Sequence, residues 1–347
     1  MIQRSQQLQS VLKKEPPYRL KQIERAFFQP HLHGWNDITS LPQILREKIS
    51  LCIPWISVKQ IALFESDAHD TYKAVLETHD AQRFESVLMR NKRGNWTLCV
   101  SSQIGCAMRC NFCATGTMGL SRSLDTDEIV DQYRFWQMFL HTKPHLYNRI
   151  SNVVCMGMGE PLTNYENVKN ALHTWLTYTD LGPTHITVSS VGVLPVLNHI
   201  LTDSSWPKVR IAISLHSANE KRRKEIVPTT SPGFLEKLSL WCHAYEKKFG
   251  NRKHYLTFEY TLIHNVNDTE THAKELAQYV LKTGNNKINV IPYNPVVGKS
   301  FARSQEDTVS RFKKVVRSYG IDITQRKTMG ADISAACGQL IYKKNEA

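Results

Sequence analysis

The chain has 347 residues, a formal net charge of +13 and a pI near 9.3. Its length and its 41% hydrophobic content exclude a peptide or a disulfide mini-scaffold, and they suffice for about two domains. With 14 Pro and 16 Gly, the chain is also not collagen-like or of low complexity. The basic charge favours a polyanionic partner, most simply a nucleic acid.

No apolar segment marks the chain for secretion or for a membrane. Residues 1–17 lack the apolar core of a signal peptide, and no run approaches the ~18 apolar residues that span a bilayer. We therefore expect a cytoplasmic protein with no membrane partner. In that reducing compartment, the eight cysteines indicate metal binding or catalysis rather than disulfide bridges.

The predicted elements divide the chain into four parts. Residues 1–56 predict a small basic helical accessory domain, because apolar side chains recur there at helical spacing among lysines and arginines. Residues 57–94 hold the strand-like runs VKQIALFE, YKAVLET and FESVLMR and are expected to form a short β or linker segment. Residues 95–342 form the expected core, and residues 343–347 form a tail.

Within the core, six strand-like runs alternate with helical segments, which predicts βα units and a parallel sheet. One of the helices begins after Asp125, with Glu128 three residues later in capping-box spacing. Six units rather than eight indicate a partial (β/α)6 TIM-like barrel that is open on one side, and the pattern also admits a doubly wound open sheet. The six runs are 96–102, 150–156, 185–191, 209–215, 255–262 and 287–293.

Polar and unusual residues cluster at the ends of five of these six strands. In parallel α/β sheets and barrels, the functional site lies at the carboxyl ends of the strands. The sequence therefore predicts a site built from Cys106–Cys113, Gly157–Glu160, Ser189, Ser214 with His216, and Asn294.

Three cysteines stand close together in the loop GCAMRCNFCATG after the first of these strands. Cys106, Cys110 and Cys113 are spaced C-x3-C-x2-C, and three such thiolates suit zinc or an iron–sulfur cluster. A structural zinc site takes four ligands, and no second pair of cysteines follows. A four-iron cluster on three ligands leaves one iron open to a substrate or cofactor.

The cysteine motif and the GMGEP run at 157–161 resemble the radical S-adenosylmethionine (SAM) superfamily. Further runs resemble the RlmN/Cfr family of RNA adenine methyltransferases within it, and the similarity extends over about residues 15–342. They are, in order, TLCVSSQIGCAMRCNFCATGTMGLSRSL, CMGMGEPLTN, ITVSSVGVLP, ISLHSANEKRRKEIVP, NPV and DISAACGQL, and the N-terminal runs YRLKQIERAFF and LPQILREKI resemble the accessory helices of the family.

The resemblance implies a cofactor site with two components. Cys106, Cys110 and Cys113 would hold a 4Fe–4S cluster, one per chain, and SAM would bind at the open iron. The residues that match the SAM contacts of the family are Gly159, Glu160, Ser189, Ser214, Leu215, His216 and Asn294.

Adenine C2 is an electron-poor carbon, so it reacts poorly with a methyl sulfonium by direct displacement, and a radical route avoids this difficulty. The resemblance implies such a route, a two-SAM ping-pong mechanism. One SAM methylates Cys337, and a second is cleaved to a 5′-deoxyadenosyl radical that takes hydrogen from the S-methyl group. The carbon radical adds to adenine and links enzyme to RNA. Glu85 matches the proton acceptor, and Cys99 matches the thiol that closes a transient disulfide with Cys337.

As substrates, the resemblance implies an adenine in the peptidyl-transferase region of 23S rRNA and the adenosine beside the anticodon of tRNA. It further implies an electron donor such as flavodoxin or ferredoxin, and we expect a monomer. Lysines and arginines at 221–224, 247–248 and 313–314 are read as solvated helix faces, some of which contact RNA phosphates. Cys52, Cys155 and Cys242 are expected to be core or surface thiols.

Two alternatives remain open at this point. The first is methylation of C8 of the ribosomal adenine, as in the Cfr branch, which implies antibiotic resistance. Pro161 and the LCVSSQIGCAM run favour C2, whereas Met329, at a position where the C2 enzymes usually have arginine, does not distinguish the two. The second is a non-catalytic RNA-binding protein that holds zinc on its three cysteines.

Overall fold

The computed structural model describes residues 4–146, 149–251, 255–284 and 287–341. The α-helices are α1 (Arg4–Val11), α2 (Tyr18–Ala26), α3 (Gln43–Cys52), α4 (Ala114–Thr117), α5 (Thr126–His141), α6 (Tyr165–Tyr178), α7 (Leu194–Thr202), α8 (Glu220–Ile226), α9 (Phe234–Phe249), α10 (Glu270–Lys282) and α11 (Glu306–Ser318). Short 3-10 helices cover Trp35–Asp37, Pro161–Asn164 and Pro183–His185. The strands are β1 (Val58–Glu65), β2 (Thr71–Thr78), β3 (Arg83–Arg90), β4 (Trp96–Cys99), β5 (Gln103–Gly105), β6 (Leu120–Ser123), β7 (Ile150–Cys155), β8 (Ile186–Ser190), β9 (Arg210–Ser214), β10 (Thr257–Leu262), β11 (Lys287–Pro292) and β12 (Asp322–Gln325).

Ten strands form one mixed sheet in the order β1–β2–β3–β4–β7–β8–β9–β10–β11–β12. The pairs from β4 to β12 are parallel, and helices connect most of these strands. All six predicted parallel strands are present, and β12 adds a seventh at one edge. Within the residues that the structure describes, β4 and β12 do not pair with each other, so the parallel part is open on one side. The predicted α/β class, a partial barrel of βα units that is open on one side, is confirmed.

The three strands expected as a short connecting segment extend this same sheet. β1, β2 and β3 pair antiparallel in sequence, and β3 then pairs antiparallel with β4. In that register, Val87 lies opposite Cys99. The antiparallel part therefore lies directly beside the first parallel strand, where the predicted site begins.

Helix α5 shows how the sequence specifies a core helix. The predicted capping box is confirmed, because Asp125 Oδ1 accepts from Glu128 N and Glu128 Oε2 accepts from Asp125 N, both at 2.9 Å. Beyond the cap, Ile129, Tyr133 and Trp136 recur at helical spacing and are buried in the main core.

The N-terminal helices dock on α5 through a buried group of charges. Arg134 pairs with Asp131 at 2.6 Å and donates to the carbonyl oxygens of Phe27 and Trp55, both at 2.8 Å. Arg4 pairs with Asp131 as well. Burial alone would raise the pKa of Asp131, but the charges of Arg134 and Arg4 hold that pKa well below its usual range.

All eight cysteines are free thiols in this structure. None of the helices in the described part of the chain combines the length and the apolar character needed to cross a lipid bilayer.

Candidate active site

A cavity of about 140 Å³ opens at the carboxyl ends of the parallel strands, where the sequence predicts a site. It is lined by the cysteine loop, by residues at the ends of β7 to β11, and by the C-terminal stretch that carries Cys337. Nine predicted residues meet there: Cys106, Cys110, Cys113, Gly159, Glu160, Ser189, Ser214, His216 and Cys337.

The cysteine loop is fixed at both ends by backbone contacts. At its start, Cys106 N donates to the Gly119 carbonyl oxygen at 2.8 Å. Gly105 has φ +75°, and a Cβ there would lie 1.8 Å from the same oxygen, so only glycine fits. Further along, Asn111 N donates to the Ile226 carbonyl oxygen at 2.9 Å and ties the loop to the end of α8.

The three thiols are set in a poorly hydrated environment. Cys106 and Cys110 are buried, and Cys113 is half-buried. Burial raises the pKa of Cys106 to about 12 and that of Cys110 well above its usual value, and neighbouring thiols add to both shifts. A metal centre that binds thiolates displaces these protons and supplies the missing positive charge. The donor set therefore fits a thiolate-bound metal centre.

A second group of possible metal ligands lies away from the cavity. Among the described residues, the ligand atoms of His79, Asp80 and Glu128 lie within 4.8 Å of one another. Arg122 pairs with both Asp80 and Glu128, so a side-chain cation already occupies the position between these carboxylates.

Glu160 presents a fixed carboxylate to the cavity. Its Oε1 accepts from Leu162 N at 3.1 Å, and its Oε2 accepts from Val191 N at 2.9 Å. Burial raises the pKa of Glu160. Gly159 has φ +98°, and a Cβ there would lie 2.5 Å from the side chain of Gln103. An amino group entering beside Glu160 would find an oriented acceptor.

The next strand ends supply hydroxyl groups and an imidazole. The Ser189 and Ser214 hydroxyl oxygens lie 3.3 Å apart on neighbouring strands. His216 Nδ1 accepts from Thr261 N at 3.0 Å, which leaves hydrogen on Nε2. Burial, with Arg223 nearby, lowers the pKa of His216 to about 3, so its ring is neutral. Leu215 does not line the cavity, because its side chain is fully buried.

Arg223 contacts the backbone at two of these strand ends. The sequence does not single it out, because it lies in a basic run that is typical of a solvated helix face. Its side chain is buried and donates to the carbonyl oxygens of Leu215 at 3.1 Å and Ser214 at 3.2 Å, and also to that of Val191. Helical spacing could have indicated its burial, because Arg223 lies three residues before the buried Ile226 and therefore on the same face of α8.

The Cys337 segment, residues 330–341, closes one side of the cavity. Ala114 N donates to the Gly338 carbonyl oxygen at 2.7 Å, so the segment is bonded to the helix that follows the cysteine loop. Asn294, expected as a SAM contact, does not line the cavity. Its Nδ2 instead donates to the Cys337 carbonyl oxygen at 3.1 Å.

Cys99 and Cys337 lie within electrostatic reach of each other. Burial raises the pKa of Cys99, and the charge of an ionised Cys337 would raise it further. Cys337 is an exposed residue at the edge of the cavity. Partial desolvation there raises the pKa of Cys337, and the guanidinium of Arg326 offsets part of this rise. Arg326 is held at 2.9 Å by Glu259, a buried cavity residue that the sequence did not single out. Cys155, read as a spare thiol, also lines the cavity wall.

Glu85 lies outside this cavity, in a neighbouring one. There its carboxylate pairs with Lys73 at 2.9 Å and accepts from Ile341 N at 2.9 Å. The Cys337 segment separates the two cavities, because Cys337 lines the first one and Ser334 lines the second.

Comparison with known structures identifies a close structural relative. The crystal structure of a radical SAM methyltransferase from Sphaerobacter thermophilus matches with a TM-score of 0.88 and 34% sequence identity. The match covers 96% of this chain and 96% of that one, so the two folds correspond almost throughout.

Sequence comparisons agree with the structural match. Residues 100–277 match the family model of the Radical SAM superfamily. A probable dual-specificity RNA methyltransferase RlmN of Dictyoglomus thermophilum is 39% identical over 96% of this chain and 93% of its own length. The ribosomal RNA large subunit methyltransferase N of Nitrosopumilus maritimus is 38% identical over 93% of this chain and 92% of its own. The chain therefore belongs to the radical SAM superfamily and, within it, to the family of methyltransferases named RlmN.

Proposed function

We propose that this protein methylates C2 of an adenine in 23S rRNA, and of the adenosine beside the anticodon in tRNA, through an S-methylcysteine at Cys337. The observation that carries the proposal is the single cavity that brings Cys337 together with the cysteine loop and Glu160. RNA as substrate is supported by the net charge of +13 and by the relatives' names, which specify RNA methyltransferases.

In this proposal, two sets of residues hold the cofactors. Cys106, Cys110 and Cys113 bind a 4Fe–4S cluster, and SAM lies beside it. Glu160 and Gly159 receive the amino group of SAM, while Ser189, Ser214, Leu215, His216 and Asn294 contact the rest. When bound, the cluster and SAM supply a methyl group and a carbon-centred radical.

The chain's own residues then move the methyl carbon and the protons. The Cys337 thiolate accepts a methyl group and later carries that carbon to the adenine ring as a covalent link. Glu85 takes the proton that leaves C2. Cys99 attacks the Cys337 sulfur, so a disulfide forms, the S–C bond breaks, and its electron pair stays on the carbon, which takes up a proton.

We also propose the setting in which this reaction occurs. Electrons for the cluster and for reduction of the disulfide come from a donor such as flavodoxin or ferredoxin. The protein acts as a cytoplasmic monomer, with its basic surface facing RNA phosphates.

The test is an anaerobic reaction of the cluster-loaded protein with SAM, a reductant and unmodified 23S rRNA. Digested RNA is analysed by mass spectrometry against authentic methyladenosine standards. We expect 2-methyladenosine from the wild type, none from Cys337→Ala, and normal amounts from the matched control Cys52→Ala, whose thiol is exposed outside the cavity. 8-Methyladenosine would instead establish the C8 alternative.

A further inference from the structure

A buried ion pair contacts the Cys337 segment on both sides of the catalytic cysteine. Lys73 Nζ lies 2.9 Å from Glu85 Oε1 and donates to the Ser334 carbonyl oxygen at 3.4 Å. The other carboxylate oxygen, Glu85 Oε2, accepts from Ile341 N at 2.9 Å. The pair therefore holds the Cys337 segment at two points, one before Cys337 and one after it.

We call the Lys73–Glu85 ion pair the anchor of the Cys337 segment. The antiparallel part of the sheet places its two side chains next to each other. Val75 lies opposite Glu85 and Lys73 lies opposite Val87, so the Lys73 and Glu85 side chains meet diagonally on one face. Lys73 is 7% exposed and Glu85 is 2% exposed. A charge pair so far from water is much stronger than a surface pair, and either charge left without its partner is strongly disfavoured.

We propose that Lys73 is a positioning residue that couples the charge of Glu85 to the placement of Cys337. While Glu85 is a carboxylate, Lys73 is held in place and the segment is fixed at Ser334 and Ile341. When Glu85 takes up a proton, the ion pair becomes a weaker charge–dipole contact and the hold on the segment loosens. This last step rests on the proposed function, in which Glu85 receives the adenine proton.

The coupling fits the order of the reaction. The proton leaves adenine C2 for Glu85, the bonding pair of the C–H bond stays in the ring, and the unpaired electron left by the radical addition would pass to the iron–sulfur cluster, the one-electron acceptor of this step. The Cys337 sulfur must then become accessible to Cys99, which lies on the strand next to the one that carries Glu85. Loosening the anchor upon proton uptake frees the segment at the stage when that sulfur is attacked.

The remaining anchors of the segment do not depend on the charge of Glu85. Asn294 donates to the Cys337 carbonyl oxygen, and Ala114 N donates to that of Gly338. Asp332 Oδ2 accepts from Asp67 N at 2.8 Å. Loss of the Lys73–Glu85 pair is thus expected to loosen the segment rather than to unfold it.

Hydrogen–deuterium exchange of the full, cluster-loaded protein without RNA tests the anchor, because this measurement requires no turnover. Lys73→Met removes the charge while keeping most of the stem. We expect exchange over residues 334–341 to rise by about tenfold or more, with exchange in α9 unchanged, and Lys73→Arg to restore much of the protection. Lys59→Met, the same change at an exposed site on β1, serves as the matched control and is expected to change nothing.

Glu85→Gln provides a second, independent variant, because the amide imitates the neutral carboxyl group. It is expected to accelerate exchange over the same residues, and the double variant is expected to add little, as for two members of one interaction. Unchanged exchange over 334–341 in Glu85→Gln contradicts the proposal, even if Lys73→Met fails to fold. Absence of 2-methyladenosine from the wild type would overturn the proposed function without altering this exchange result.

Discussion

The side-chain amide of Asn294 is hydrogen-bonded to the carbonyl oxygen of Cys337 at 3.1 Å. Asn294 follows β11, the sixth of the predicted strands, so this bond ties the end of the parallel sheet to the proposed methyl carrier. The side-chain oxygen of Asn294, Oδ1, in turn accepts a hydrogen bond from the Thr328 hydroxyl group at 3.2 Å, which fixes the orientation of the amide. The structure thus shows a contact between Asn294 and Cys337 that the family resemblance does not imply.

This bond predicts a specific kinetic effect. Asn294→Ala should slow S-methylation of Cys337 by about tenfold, because the acceptor is no longer held relative to the cavity. Since Asn294 is also proposed to contact SAM, KM for SAM should rise, but by less than the rate of methylation falls. Single-turnover mass spectrometry of the Cys337 peptide at several SAM concentrations measures both quantities. A large rise in KM with an unchanged maximal rate would show that Asn294 acts as a SAM contact only.

The cysteine loop predicts a selective loss of iron. Cys110→Ala removes a buried thiol of the proposed cluster site, so iron and sulfide bound after anaerobic reconstitution should fall to near zero. Cys155→Ala is the matched control, because this thiol lines the same cavity but lies outside the motif. Zinc in place of iron in the wild-type protein would favour the non-catalytic alternative.

Cys99 is expected to act after RNA has become linked to the enzyme. In Cys99→Ala the covalent intermediate cannot be resolved, so an RNA–protein adduct should accumulate and survive denaturing electrophoresis. Cys242→Ala, which removes a buried thiol on α9, should form no persistent adduct. If Cys99→Ala releases methylated RNA at the wild-type rate, Cys99 is not the resolving thiol.

The buried charges between α5 and the N-terminal helices predict that the free energy of unfolding depends on pH. The pKa of Asp131 is lower in the folded state than in the unfolded chain, so its contribution is complete above the ordinary value of 3.8 and is lost as the pH falls below it. Asp131→Asn should lower the free energy of unfolding by about 3–5 kcal/mol near neutral pH, since it leaves Arg134 without its counter-charge and Arg4 with only Asp127, at 4.0 Å.

Chemical denaturation at several pH values measures this contribution. The wild type should lose its advantage over Asp131→Asn as the pH is lowered. The control Asp322→Asn breaks an exposed pair with Lys287 and should cost only about 0–1 kcal/mol. Equal stability of wild type and Asp131→Asn at neutral pH would contradict this account of the docking.

The sequence predicts what is local along the chain. The six long parallel strands follow from their apolar runs, and the cysteine loop follows from its spacing. β12 was missed because DITQ is too short and polar to stand out. Long-range contacts were missed for a different reason. Lys73 has the pattern of an ordinary strand residue, and only the fold brings Ser334 to it. Arg223 has the pattern of a surface charge, and only the fold places it against the ends of two strands, β8 and β9.

Isotope transfer from Cys337 to RNA tests the central claim most directly. Cys337 is first methylated with SAM that carries a CD3 group, excess SAM is removed, and unlabelled SAM, reductant and RNA are added. We predict 2-methyladenosine that carries two deuterium atoms, with the third in 5′-deoxyadenosine, because one hydrogen isotope must leave the S-methyl group before carbon–carbon bond formation. A product with three deuterium atoms, or with none, would contradict the claim that Cys337 carries the methyl carbon through a radical.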